Sequence, residues 1–354
     1  MIEHPRTVTV ADVARAAGVS KATAARVLGG YGTVGAELTA RVLAAAERLD
    51  YRPNELARTM ATGRSSTIGV VIGDVENPFF GHLTRGITDR AKSFGYGVIV
   101  TNSAESVAEE RAAVAMLLGK RVDGLIVAPA DRSHSDHLED AIGRGMPVVL
   151  VDREVEELRV DAVVADDRKA AASAVRYLVD AGHRRIAYLT STECDEVGYR
   201  DPRQIKLTTV LHRIEGMLKV SNAAGIAEPE RYIRLGAVDA AASGLILDAL
   251  LSLPDRPTAI LASDSKLALD VLQAAQRANL LIPRDLSLVT FDDAEWTRAI
   301  SPTVTVLAQP SHELGAEAVR LLIERVEGRR EISRVVLETR LVHRGSVAIP
   351  NVPE

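Results

Sequence analysis

At Ser66 the hydrophobic pattern of this chain changes period, and the change dictates its architecture. From there on, short apolar runs rich in β-branched residues alternate with amphipathic stretches of helical spacing. Such alternation marks βαβ units, whose strands pair in parallel and need helices over both faces. Strands are expected at 68–72, 98–101, 125–127, 148–151, 162–165, 186–189, 259–261 and 286–291, and helices include 81–94, 108–118, 169–181 and 265–278. These strands are apolar throughout, as strands covered on both faces should be. The region is too long for one sheet of this kind, so two lobes are expected, parting near Asp166.

Ahead of Ser66 the period is helical, and residues 7–50 read as three short helices. Thr9 is a fitting N-cap with Asp12 three positions on, and the stripe Val10, Val13, Ala14, Ala17 stops at Gly18. Ser20 then caps a segment over 21–28 whose Ala24, Val27 and Leu28 turn inward while Lys21, Ala22 and Arg26 turn outward. Two short helices joined through a glycine-containing turn are the signature of a helix-turn-helix. A third helix over 36–49 offers Leu38, Val42, Ala45, Ala46 and Leu49 to close a small core. Residues 1–64 carry nine Lys/Arg against six Asp/Glu in a chain whose net charge is -5, so a basic head precedes an acidic body. A basic head suits a polyanion such as DNA.

Other classes are excluded more simply. No apolar run reaches the ~18 residues of a membrane span, and the opening residues lack a secretory pattern, so a cytoplasmic protein is expected. Cys194 is the single cysteine, which leaves no disulfide and no cysteine framework for zinc or iron–sulfur. Neither a metal nor a cofactor is expected. Gly95-Tyr96-Gly97 and Gly119-Lys120 are incomplete as nucleotide loops, and no nucleophile elbow occurs. His134-Ser135-Asp136-His137 has metal-ligand types but reads as a solvated loop. Ligands of open α/β sheets sit beyond the carboxyl ends of the strands. Phe79, Phe80, Asp152, Arg153 and Asp292 fall there, offering rings to stack and carboxylates and a guanidinium for hydroxyl groups. Ser263 follows another strand, and Trp296, the sole tryptophan, is expected near the same mouth. Asp293 reads as a turn residue.

The string TVADVARAAGVSKATAARVL from Thr9, followed by RVLAAAERLDYRPNELARTMATGRSSTIGVV, resembles the DNA-binding head and hinge of the lactose-repressor (LacI/GalR) family. The likeness continues in order through NPFF at Asn77, LVDRE at Leu150, AGHRRIAYL at Ala181, ILASDSKLAL at Ile260, TFDDAEW at Thr290 and SPTVTVLAQPSHELG at Ser301. The resemblance implies a homodimeric transcription regulator, repressor or activator, that binds a pseudo-palindromic double-stranded operator. Its body is expected to be two-lobed like periplasmic sugar-binding proteins.

The implied domains are a helix-turn-helix head at 1–50 and a hinge helix with linker at 51–65. One lobe then takes 66–165 with 297–329 and the other 166–296 with 330–354, the chain crossing near Asp166, Trp296 and Arg329. Lys21 and Ala22 would choose the operator, Arg26 would pair with a guanine, and Ser20 and Thr23 would hold phosphates. The hinge helix, marginal alone, would bring Asn54, Arg58 and Met60 to the DNA, with Met60 as an apolar wedge in the minor groove. Arg213 matches the family's effector-clamping arginine. The long stretch 192–206 reads as a lid. Together these favour a sugar or cyclic polyol as effector, with a purine or nucleoside as the alternative. A sugar-processing enzyme, a solute-binding protein and a sequence-independent DNA binder are the competing classes.

Overall fold

A computed structural model describes residues 8–29, 32–51, 64–194 and 196–351. The chain divides into two units, one ending at Ser65 and the other beginning at Ser66.

In the first unit, α1 (Val10–Ala17), α2 (Lys21–Gly29) and α3 (Ala36–Arg48) surround a core of Val13, Ala14, Ala17, Ala24, Val42, Ala45 and Ala46. The Thr9 hydroxyl accepts from the Asp12 amide while the Asp12 carboxylate accepts from the Thr9 amide, a complete capping box. Gly18 ends α1 at φ 62°, and a β-carbon there would run into Arg41 of α3. That guanidinium donates to the Ala17 carbonyl at 2.7 Å, so one α3 side chain closes the turn of the helix pair. Leu38, expected inside, is instead 37% exposed on the outer side of α3. The buried centre of so small a core is two valines and five alanines, with Leu28, Leu49 and Tyr51 packed half-buried around it.

The second unit holds two parallel sheets of identical plan. The first runs β11-β5-β4-β3-β1-β2, with β1 Thr67–Ile72, β2 Gly97–Asn102, β3 Gly124–Val127, β4 Val148–Val151, β5 Asp161–Ala165 and β11 Arg334–Leu337. The second runs β12-β10-β9-β8-β6-β7, with β6 Ile186–Leu189, β7 Ile233–Arg234, β8 Ala259–Ala262, β9 Ser287–Phe291, β10 Thr305–Ala308 and β12 Arg340–Val342. Among the strands of the described residues β12 is the one that joins its sheet antiparallel, and a single antiparallel bridge links Gly198 to Arg234 of β7. Each interior strand is buried over nearly its whole length, but β2, an edge strand, is half exposed, so the expectation of full coverage fails there.

The helices are α4 (Pro78–Ser93), α5 (Val107–Gly119), α6 (Asp136–Gly143) and α7 (Asp167–Asp180), then α8 (Thr208–Ala223), α9 (Ala240–Leu251), α10 (Ser265–Arg277), α11 (Trp296–Ala299) and α12 (Ser311–Val326). Helices α4 and α12 cross closely enough that a β-carbon on Gly315 would meet the Leu83 carbonyl.

The chain passes between the sheets after Ala165, after Ala308, and between Leu337 and Arg340. The last two crossings therefore lie beyond the expected Trp296 and Arg329. The reason is β10: it is hydrogen-bonded to β9 and β12, so residues 297–308 belong to the second lobe, whereas α12 and β11 pack on the first.

Candidate functional site

Two surfaces carry the expected chemistry, one on each unit. On the head, the Ser20 hydroxyl accepts from the Thr23 amide at 3.1 Å and starts α2. Ala24 is buried, while Ser20, Lys21, Ala22 and Arg26 are exposed along the opposite side, with Thr23 half-buried. Lys21 and Arg26 make no hydrogen bond or ion pair among the described residues. Asn54, Arg58 and Met60 lie outside the described residues.

On the body, a cleft of about 670 Å³ opens between the carboxyl ends of the two sheets. Phe79, Phe80, Asp152, Arg153, Arg213, Ser263 and Asp292 all line it. The N-cap Asn77 and the proline at 78 start α4 so that Phe79 and Phe80 form the floor, edge to face with centroids 5.3 Å apart. Both rings also belong to the core of the first lobe, so each combines core packing with a place on the cleft lining. Arg153 stands 5.6 Å above the Phe80 ring and is held by both oxygens of Glu105, one at 2.8 Å.

Arg213, on α8, is fixed from three directions. Its Nε donates to Asp167 at 2.6 Å, Nη1 to the Ser263 carbonyl at 2.8 Å and Nη2 to Gln309 at 3.2 Å. Its guanidinium also lies 3.7 Å from the centre of the Phe291 ring. Burial opposes its charge, but Asp167 and the neighbouring acids outweigh burial and hold its pKa above the ordinary arginine value.

Asp152 and Asp292 end β4 and β9, corresponding strands of the two lobes, and both adopt left-handed backbone, φ 67° and 70°. Such conformations cost energy outside glycine and turn the side chain out of the strand's alternation. Here they bring both carboxylates to the cleft. Burial raises Asp152 to about 6 against the pull of Arg153, and raises Asp292 to about 7 against the Gln309 hydrogen bond. Asp264, the N-cap of α10, is also raised by burial.

Trp296 does not line the cleft. It starts the single turn of α11 and packs half-buried on the apolar cluster behind β8 and β9. Asp293 is drawn the same way, into ion pairs with Arg298 at 2.9 Å and Arg344 at 2.6 Å. His137 is no solvated loop residue either: it is buried, 2.6 Å from Glu110.

Sequence reasoning missed Glu105, Lys266 and Gln309, which all line the cleft. Lys266 reaches across the mouth to Asp74 at 3.4 Å and Glu76 at 3.3 Å. Their common signal was position: each follows a strand's carboxyl end. The stretch 192–206 is anchored on both sides, with Val197 and Thr192 carbonyls accepting from the amides of Leu235 and Gly236. From the other lobe, Arg132 donates to the carbonyls of Ile205 at 2.8 Å and Pro202 at 3.1 Å.

A three-helix head with an exposed basic recognition helix, ahead of two matched lobes around a polar cleft, defines a ligand-responsive DNA-binding regulator. Residues 9–54 match the profile described as "Bacterial regulatory proteins, lacI family", and residues 175–347 that of a "Periplasmic binding protein-like domain". Catabolite control protein A of Priestia megaterium is 33% identical over 315 residues, 89% of this chain and 91% of that one. The lac repressor dimer bound to operator and the anti-inducer ONPF superposes with a TM-score of 0.83 at 26% identity, covering 97% of this chain and 100% of that one. A LacI family transcriptional regulator from Enterococcus faecium with bound ribose gives a TM-score of 0.67 at 28% identity, over 80% of this chain and 99% of that one. The chain belongs to the lacI family of bacterial regulatory proteins, and it is a regulator rather than an enzyme.

Proposed function

We propose that this chain is a homodimeric, cytoplasmic repressor whose grip on a pseudo-palindromic operator is set by a polyhydroxylated effector, a sugar or cyclic polyol, bound between the lobes. The observation that carries this reading is the cleft: two counterpart aspartates, a fixed arginine and an aromatic floor converge in one crevice. Carboxylates and guanidinium suit vicinal hydroxyls, and the rings suit a sugar face. Phe79, Phe80, Asp152, Arg153, Arg213, Ser263 and Asp292 are the effector contacts in this reading.

On the head, Lys21, Ala22 and Arg26 read base edges in the major groove while Ser20 and Thr23 hold phosphates. Asn54, Arg58 and Met60 are assigned to the minor groove on the sequence alone. The effector shifts DNA affinity by the ratio of its affinities for the two lobe arrangements, and no further. The dimer and the repressor role are supported by the operator-bound lac repressor, and the sugar by the ribose-bound regulator.

Selection of random duplexes by the full-length protein, then titration with hexoses, pentoses, cyclitols and nucleosides, tests both halves. The expected result is a two-fold symmetric site preferred over random DNA by ~10³ or more, released or tightened by one hydroxyl-rich compound class. No sequence preference defeats the regulator reading. A response confined to nucleosides replaces the sugar.

A further inference from the structure

The two flanks of the cleft are closed by different means. On one, beside α4 and α10, Lys266 reaches Asp74 and Glu76 through exposed ion pairs, which solvent and salt weaken. The other lies beside α6 and α8, which cover the opposite faces of the two sheets. There the stretch 192–206 is bonded to both lobes.

It holds the second lobe by strand addition. The Val197 carbonyl accepts from the Leu235 amide at 2.7 Å, the Thr192 carbonyl from the Gly236 amide at 2.9 Å, and Gly198 bridges to Arg234. These bonds cover the outer edge of β7, the last strand of its sheet. Asp201 then caps the short turn Pro202–Gln204, and Ile205 enters the apolar core of the lobe. A segment with strand pairing, a cap and a core side chain is built structure rather than a loop free to swing.

Its hold on the first lobe is Arg132, in the loop after β3. The Arg132 amide donates to the Lys206 carbonyl at 2.7 Å, and its guanidinium to the carbonyls of Ile205 at 2.8 Å and Pro202 at 3.1 Å. The side chain is largely buried, and Glu156 holds its remaining nitrogen. The loop is braced in turn, since the Ala130 amide donates at 2.6 Å to the buried Glu110, which His137 pairs. On the same flank the Glu154 amide donates to the Thr208 hydroxyl at 3.0 Å, a further bond between the lobes. A shielded guanidinium on backbone carbonyls makes charge-assisted bonds that salt screens little.

We propose that 192–206 is a fixed strap rather than a lid: it fastens the lobes along the Arg132 flank, so that they part about that flank and the cleft opens past Lys266. The inference rests on the reading that the lobes change arrangement with the effector, and it adds where they stay joined. The strap also walls its side of the cleft with Thr192, Glu193 and Lys206, so a ligand enters and leaves on the Lys266 side.

Hydrogen exchange on the full-length protein without effector reads the strap directly, because the amides of Arg132 and Glu154 are donors between the lobes. Peptides over 130–134 and 153–156 are expected to exchange at least ~100-fold slower than exposed turns, at low and at high salt alike. Trypsin gives a second readout. Arg200 and Arg203 are exposed on the strap, yet cutting there needs the segment to come away. In Arg132→Ala, cutting after Arg200 and Arg203 and exchange over 197–206 should rise at least ~10-fold, with the strands of both sheets unchanged. Lys266→Ala should leave the strap as protected as in the parent.

Arg132 and Glu154 amides that exchange like exposed turns overturn the strap and make the stretch a lid. So does an Arg132→Ala strap that is cut and exchanged as slowly as the parent's. Loss of strap protection in Lys266→Ala makes the two flanks one closure and overturns the pivot. The measurement on the parent needs neither variant nor effector, so it stands if a variant fails to fold, and whether or not the effector proves to be a sugar.

Discussion

The recognition helix and the cleft put similar residue types to opposite use. On α2, Lys21 and Arg26 stand in solvent without partners among the described residues, on a core made of a few valines and alanines. In the cleft, Arg153 and Arg213 are buried and each is already committed to a carboxylate. A polyanion supplies its own counter-charge and displaces mobile ions, so the surface that meets it gains by leaving cations unpaired. A small ligand gives little area, so its site must be held in shape beforehand and dry enough for each polar contact to count. The same guanidinium is thus left exposed on one unit and built in as a strut on the other.

The contrast is broken most forcefully at Arg213. Arg213→Ala leaves the Asp167 carboxylate buried without its partner and frees Gln309 and the Ser263 carbonyl. Removing one member of a buried pair costs about 3–5 kcal/mol. Urea unfolding should show that loss together with loss of effector binding. A variant that keeps wild-type stability would mean the arginine is no strut.

The acids of the cleft answer through pH. Burial raises Asp292 to about 7, whereas in the unfolded chain it titrates near 4. Between those values the folded state holds the extra proton, so its share of stability is present at low pH and is lost as pH rises towards 7. Each pH unit in that window is worth about 1.4 kcal/mol for one such group. Asp292→Asn, which needs no proton, should therefore be more stable than the parent at pH 8, by up to about 4 kcal/mol, and the two curves should converge near pH 4. Equal stability at both pH values would place Asp292 in contact with solvent. Asp152, raised to about 6, should show the same trend over a narrower window.

On the head the prediction has the other form, a change in binding with none in folding. Arg26→Ala removes an exposed side chain, so the unfolding free energy should stay within about 0.5 kcal/mol. DNA affinity should fall by about 1–3 kcal/mol, and the preference at one base pair of each half-site should relax. Unchanged preference in a binding-site selection would reassign that contact to Lys21 or Ala22.

These two surfaces were not equally legible in the amino-acid sequence. The head is local: cap, stripe, glycine and second cap lie within Thr9 to Ser20, so spacing alone delivers the helices and the outward residues. Leu38 went astray because period shows which face is apolar, but not whether the core has room for it. In the body, strand positions follow from apolar runs, yet β7 is two residues long and β11 alternates between exposed and half-buried, too weak a signal to read. Which sheet a strand joins is a long-range matter, and that is why residues 297–308 were expected in the first lobe although β10 pairs in the second. Asp152, Arg153 and Asp292 could be found because they end legible strands. Gln309 follows an unread one, and Trp296 was misplaced because four residues past Asp292 is ample length for the chain to turn onto the back of the sheet.

Lys266 offers the finest test, since it belongs to neither extreme. It is charged and half exposed like the head's cations, yet it bridges the cleft mouth to Asp74 and Glu76 on the other lobe. Exposed ion pairs are worth about 0–1 kcal/mol, so Lys266→Ala should hardly move the unfolding midpoint. If the pairs bias the lobes towards each other, that small energy instead enters the equilibrium between lobe arrangements, where 1 kcal/mol is about a fivefold change in population. Effector affinity should then fall by up to about fivefold, through faster dissociation rather than slower association, because the mouth no longer holds closed over the ligand. Raising the salt concentration should weaken effector binding by the parent and leave the variant unaffected. A variant that matches the parent in dissociation rate and in salt response would show that the bridge is merely surface charge, and that the cleft is held by Arg132 and the 192–206 stretch instead.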